Sequence, residues 1–175
     1  SGTMHFPMSQ DGSKVVATQY DFSSQLHFLE TFLLDDPLFP PTSPLRQPEG
    51  YHIMDMELSG DGTTLVLGLT AFRSTDDTTV WGGAVVVLQQ QAPKLQPGDN
   101  ATSAAIWQVQ HEIVTGGGRY GKVSNVAVSY DGSTVAVVEG QWDEVQVHVF
   151  RQYNNTSNQW SNILNAPHLD SSSDV

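Results

Sequence analysis

The sequence contains no cysteine. That absence removes disulfide scaffolds, thiol nucleophiles, iron–sulfur clusters and cysteine-ligated zinc together, and the core must hold without covalent staples. Basic residues are scarce as well, with 7 Lys+Arg against 19 Asp+Glu and a net charge of -12. A polyanion of this kind repels phosphate backbones and anionic surfaces, so nucleic acid is excluded and a basic protein is the charged partner it would attract. No apolar run approaches the ~18 residues of a bilayer span, so membrane insertion is not expected, and no basic-then-apolar signal segment opens the chain. Helix periodicity is missing too, since no stretch keeps apolar residues at i, i+3, i+4 and i+7 between caps. What remains is 175 residues, 38% of them hydrophobic, enough for one core of ordinary size built from strands.

Three segments align without gaps around a four-residue turn. They are Phe6 to Ala17, Met56 to Leu67 and Val126 to Val137, and they share Ser-x-Asp-Gly-Ser/Thr at Ser9-Gln10-Asp11-Gly12-Ser13, Ser59-Gly60-Asp61-Gly62-Thr63 and Ser129-Tyr130-Asp131-Gly132-Ser133. Before each turn, Phe6/Met8, Met56/Leu58 and Val126/Val128 alternate as in a half-buried strand, and an apolar strand resumes after it, so each unit is a β-hairpin. Asp and Ser side chains bond backbone N–H groups inside such turns, and Gly accepts positive φ. The residues Asp11, Gly12, Asp61, Gly62, Asp131 and Gly132 are therefore structural turn residues before they are anything catalytic.

Each hairpin has a further echo in Leu26-His27-Phe28-Leu29, Val85-Val86-Val87-Leu88 and Val147-His148-Val149-Phe150, which predict third strands and place His27 and His148 at equivalent positions. After the second and third echoes, Trp107 and Trp160 mark fourth strands. Polar loops are expected over residues 73–79 and 89–103, and a glycine-rich turn at Gly116 to Lys122. The expected fold is all-β, with three open four-stranded antiparallel sheet repeats over 4–50, 51–115 and 116–164, followed by a tail at 165–175. The alternative is two pseudo-repeated β-domains near residues 1–100 and 101–164.

The succession Ser-x-Asp-Gly-Ser-x-Val-Ala-Val, Val-x-Val-Phe and a Trp some ten residues on, clearest over 123–164, resembles the blade repeat of β-propellers of the WD40-like and FG-GAP-like kinds. The pattern lacks the Gly-His…Trp-Asp pair, Phe-Gly-Gly-Ala-Pro and the Asp-x-Asp-x-Asp-Gly calcium loop of the stricter subfamilies, so neither calcium nor any other cofactor is expected. The repeats also resemble those of shell-forming proteins of the diatom pyrenoid. That resemblance implies a structural, lattice-forming role and a chloroplast location.

Rings of such blades close with four to eight units, so three repeats leave faces and edges to be covered. Two segments are candidates for self-assembly contacts. The arm 31–49 holds five of the nine prolines and the apolar Leu33, Leu34, Leu38, Phe39 and Leu45, which suits an extended strap on this chain or a neighbour. The tail carries Pro167, Leu169 and Val175 in a run of Ser and Asp that orders itself poorly.

Motifs for chemistry fail one by one. Gly116 to Lys122 has the letters of a phosphate loop, but Val123 stands where a hydroxyl should hold magnesium and a strand follows instead of a helix. The six histidines show no paired metal spacing, and no Gly-x-Ser-x-Gly elbow exists. The Asn-x-Thr/Ser acceptors at Asn100, Asn154 and Asn155 would carry sugar if the chain is secreted, the alternative location. The expected function is therefore a non-enzymatic protein that self-associates into a homo-oligomer or lattice, with a recognition module for a glycan, peptide or basic protein as the alternative.

Overall fold

A computed structural model describes residues 6–21, 26–33, 44–45, 51–75, 78–91, 106–118, 122–141, 144–154 and 157–166. The regular elements are strands: β1 (Lys14–Asp21), β2 (Leu26–Leu33), β3 (Pro44–Leu45), β4 (Tyr51–Leu58), β5 (Thr64–Thr75), β6 (Thr78–Gln91), β7 (Ile106–Gly118), β8 (Val123–Val128), β9 (Thr134–Gln141), β10 (Glu144–Asn154) and β11 (Ser157–Ala166). They form three open antiparallel sheets, ordered β1-β2-β3 (sheet 1), β4-β5-β6-β7 (sheet 2) and β11-β10-β9-β8 (sheet 3). The all-β, repeated and open architecture is as expected. A division near residue 100 does not fit it, because β7 is laddered to β6 over most of its length.

Sheet 1 is the abbreviated copy. Among the described residues its counterpart of β4 and β8 is one bridge, Met8 to Val15. Pro7 offers no N–H to a ladder, and the last strand begins at Pro44 for the same reason at the same cost to pairing. The expected loop at 73–79 is mostly strand. β5 and β6 stay paired from Thr64/Gln89 out to Thr75/Thr78, because Thr and Val keep a pleated ribbon going where Asp alone suggested a loop. Gly116 to Gly118, expected in a turn, complete β7, with Gly118 opposite Trp81. β11 likewise runs to Ala166, into the expected tail.

The sheets stack face to face with sheet 2 in the middle. Alternation along β5 and β6 sends Leu65, Leu67, Leu69, Ala84, Val86 and Leu88 to one side, where with Trp107 they enclose Val16 and Leu29 of sheet 1. Val66, Val85 and Val87 go to the other side and meet Val123, Val126, Val135 and Val137 of sheet 3. A strand buried on both faces reads as a continuous apolar run, which explains Thr64-Leu-Val-Leu-Gly-Leu-Thr70 and Ala84-Val-Val-Val-Leu88. Each such side chain taken from water contributes about 1.5–3 kcal/mol, so sheet 2 is the keel of the molecule. Gly68 marks the closest approach: a Cβ there would lie 2.8 Å from Val123 Cγ1 and 3.0 Å from Val126 Cγ1. Among the described residues no helix is long and apolar enough to cross a membrane.

Candidate functional site

The three Asp-Gly turns are built from the same bonds. Ser9, Ser59 and Ser129 donate their hydroxyls to Asp11, Asp61 and Asp131 Oδ1 at 2.6, 2.6 and 2.7 Å. The backbone N–H of Ser13, Thr63 and Ser133 reaches the same oxygens at 2.9, 3.0 and 3.1 Å. The serine hydroxyl then accepts from the N–H of Lys14, Thr64 and Thr134 at 3.0, 2.9 and 3.0 Å. Gly12, Gly62 and Gly132 hold φ of 72°, 68° and 71°, the left-handed conformation that closes the turn and that a side chain resists. Hydrogen bonds from Ser9 and Ser13 hold the Asp11 carboxyl down at about 2, and those from Ser129 and Ser133 do the same for Asp131. At Asp61 burial works upward, but the Ser59 and Thr63 bonds outweigh it and the carboxyl stays below its ordinary value. The Oδ1 of each carboxylate is thus spent on its own turn, and the low values of Asp11 and Asp131 keep them ionised near neutral pH.

The turns also lean on one another. Gln10 N–H donates to Gly60 O at 3.1 Å, and Asp61 N–H donates to Tyr130 O at 3.0 Å, so the tips form a ladder from sheet 1 to sheet 3. Lys14 Nζ crosses from turn 1 to Gly62 O and Gln90 Oε1, both at 2.5 Å. Gly62 would meet Lys14 if it had a Cβ, and Gly132 would overlap Thr64, whereas Gly12 has nothing within 4 Å. Glycine is thus required at turn 3 for packing as well as for φ, while at turn 2 a side chain would be merely tight.

Deeper down, polar groups tie the sheets together. Asp55 Oδ2 on β4 accepts from Val126 N–H at 2.9 Å, and Thr70 Oγ1 on β5 donates to Val123 O at 3.1 Å. Trp107 Nε1 donates to Thr31 Oγ1 at 2.8 Å, joining sheet 2 to sheet 1. Trp160 holds the equivalent place in sheet 3, stacked on His111 with centroids 6.3 Å apart, but its buried Nε1 finds no acceptor among the described residues. Strand register supplies the reason. Thr31 lies opposite Val16 in sheet 1, Val87 lies opposite Val66 in sheet 2, and so a methyl stands where Thr31 has its hydroxyl.

Register also corrects the frame of the third strand in sheet 1. Phe32 lies opposite Val15 as Phe150 lies opposite Val135, so Glu30, not His27, is the counterpart of His148. The apolar echo misled because the connection between the paired ends is longer in sheet 1, Asp21 to Leu26, than in sheet 3, Gln141 to Glu144, so an offset counted from the turn lands on the wrong residue. His148 instead sits 3.2 Å from Glu139 Oε2 on the face toward sheet 2. Among the described residues no cluster of three or more His, Asp or Glu is placed to hold a metal.

Of the proposed self-assembly contacts, Leu33 pairs with Lys14 and Leu45 pairs with His27, making the two ends of the arm strands of sheet 1. Leu34, Leu38, Phe39, Pro167, Leu169 and Val175 lie outside the described residues, as do Asn100 and Asn155. Asn154 ends β10 opposite Ser157. Lys14, Thr31, Asp55 and Gly68, the residues that join one sheet to the next, gave no signal in the sequence. Finding them required knowing which sheets touch.

No protein-family model and no curated protein sequence matches the chain. Several solved structures resemble it. One is a functionally unknown protein from Desulfotomaculum acetoxidans, 13% identical, with a TM-score of 0.39, covering 96% of this chain and 57% of its own. Another is named as a putative 6-phosphogluconolactonase from Bacteroides uniformis, 12% identical, with a TM-score of 0.36, covering 91% of this chain and 56% of its own. This chain therefore spans less than two thirds of either neighbour's length, and likeness at this level carries no argument about activity.

Proposed function

We propose that the chain is a non-enzymatic structural protein that associates with itself, building a homo-oligomer or lattice through open sheet edges and the arms at 31–49 and 165–175. The observation that carries the reading is the open edge of sheet 3. Among the described residues β11 is hydrogen-bonded to β10 on one side only, and its Ile163 and Leu164 are exposed. An uncovered, partly apolar edge strand is a template for another strand. The repeated Ser-to-Asp bonds support the non-enzymatic part, since they give these carboxylates a role in closing the turns. The resemblance to pyrenoid shell proteins points the same way. Sedimentation velocity over a wide concentration range tests the proposal: the mass should exceed one chain and grow with concentration. A strict monomer at every concentration refutes it.

A further inference from the structure

We infer that the outer faces of sheets 1 and 3 are the two halves of one interface, occupied head to tail by a second copy of this chain. The inference rests on the self-association reading and names a surface for it, the sheet faces, different from the edges and arms. In sheet 2, Val66, Gly68, Val85 and Val87 carry sheet 3 upon them. Register assigns Val16, Thr18, Leu29 and Thr31 to the same places in sheet 1, the face that lies on sheet 2. In sheet 3 the same places are held by Ala136, Val138, Val147 and Val149, which are half-buried and belong to neither core.

The complementary faces follow the same rule. Leu65, Leu67, Val86 and Leu88 of sheet 2 pack toward sheet 1, and Val135, Val137 and Phe150 of sheet 3 pack toward sheet 2. Their counterparts in sheet 1, Val15, Ala17, Glu30 and Phe32, belong to neither core, and Phe32 is 48% exposed. Each sheet has one face of each kind, and among the described residues one of each has no sheet packed upon it. A second copy is the occupant these faces fit, because it would repeat an interface that the chain already makes twice. The faces are apolar, and their charges differ in sign: Glu30 on sheet 1, and Arg151, opposite Thr134, on sheet 3. The turns agree. Gly62 lies against Lys14 and Gly132 against Thr64, while Gly12 is open, so Thr134 is the residue that a second copy's Gly12 would meet. Two copies joined reciprocally satisfy both faces of each and close a ring of six sheets, within the four-to-eight range of such rings.

The test is sedimentation velocity on the 175-residue chain, on Val147→Lys and Phe32→Asp, and on a mixture of the two variants. The expected masses are two copies for the parent, one for each variant alone, and two for the mixture, where the intact face of each variant meets the intact face of the other. A variant that still dimerises alone means that like faces pair, which overturns the head-to-tail arrangement. A parent that associates while both variants match it assigns the contact to edges or arms and overturns this inference alone. A monomeric parent overturns both readings, and a mass above two copies that both variants abolish overturns closure at two. Circular dichroism reports whether either variant has lost its fold; if one has, Val147→Thr and Phe32→Ser replace them, each expected to weaken dimerisation by about tenfold or more.

Discussion

Replacing Thr31 by Val removes one hydroxyl and almost nothing else. Thr31 is 7% exposed, and its Oγ1 is the acceptor for Trp107 Nε1, itself in a residue 8% exposed. The shape is kept, so no cavity opens, and the indole N–H is stranded between two sheets. Leaving one buried donor unpaired costs about 1–3 kcal/mol. Replacing the hydroxyl with a methyl recovers ~0.8 kcal/mol of apolar transfer, which leaves a net loss of about 0.2–2 kcal/mol. For a domain of this length that corresponds to a fall in Tm of up to about 8 °C. Urea unfolding of Thr31→Val should show a lower midpoint at unchanged m, since compactness is not altered. The reciprocal change provides the control. Val87→Thr places a hydroxyl where the repeat sets Trp160 Nε1, which has no acceptor among the described residues, and should cost less than Val85→Thr, two residues away on the same face. If Thr31→Val is neutral or stabilising, or if the two valine substitutions cost the same, the indole accounting is wrong.

Three further outcomes are expected. Gly132→Ala should destabilise more than Gly12→Ala: both incur the positive-φ cost of about 1 kcal/mol, but only Gly132 also overlaps Thr64, and equal thermal shifts would contradict the stacking of turns. Asp11 and Asp131 sit at about 2, below their ordinary value, so their contribution is fully present above about pH 4 and is lost as the pH falls through about 2. Acid titration of stability should therefore lose slope between pH 4 and 2 in a double Asp11→Asn, Asp131→Asn variant; an unchanged slope refutes the assignment. Association between copies of charge -12 should strengthen as the Debye length falls from ~30 Å at 0.01 M to ~8 Å at 0.15 M salt, and light scattering that drops with added salt would contradict it.

Some of this protein was legible as soon as its residues were read. The turns were, because Ser-x-Asp-Gly closes on itself: donor, acceptor and positive-φ glycine all lie within five residues, and no distant partner is needed. The fourth strands at Trp107 and Trp160 were legible for the same kind of reason, since a large aromatic recurring at one place in a repeat marks a packing position. The two-sided burial of sheet 2 could be read in its unbroken valine and leucine runs. Stacking order, in contrast, belongs to the tertiary structure alone. The frame of the third strand depends on the length of the connection before it, which differs between sheet 1 and sheet 3, so only hydrogen-bonded register settled that Glu30 and not His27 answers to His148. Nor could any local pattern reveal that Asp55 accepts from Val126, 71 positions away. The same limit hid Lys14 crossing to Gly62 and the missing acceptor of Trp160, since these depend on which face of one sheet meets which face of the next. Local hydrogen bonds are set within a few residues of chain, whereas contacts between sheets are set by the geometry of the whole stack.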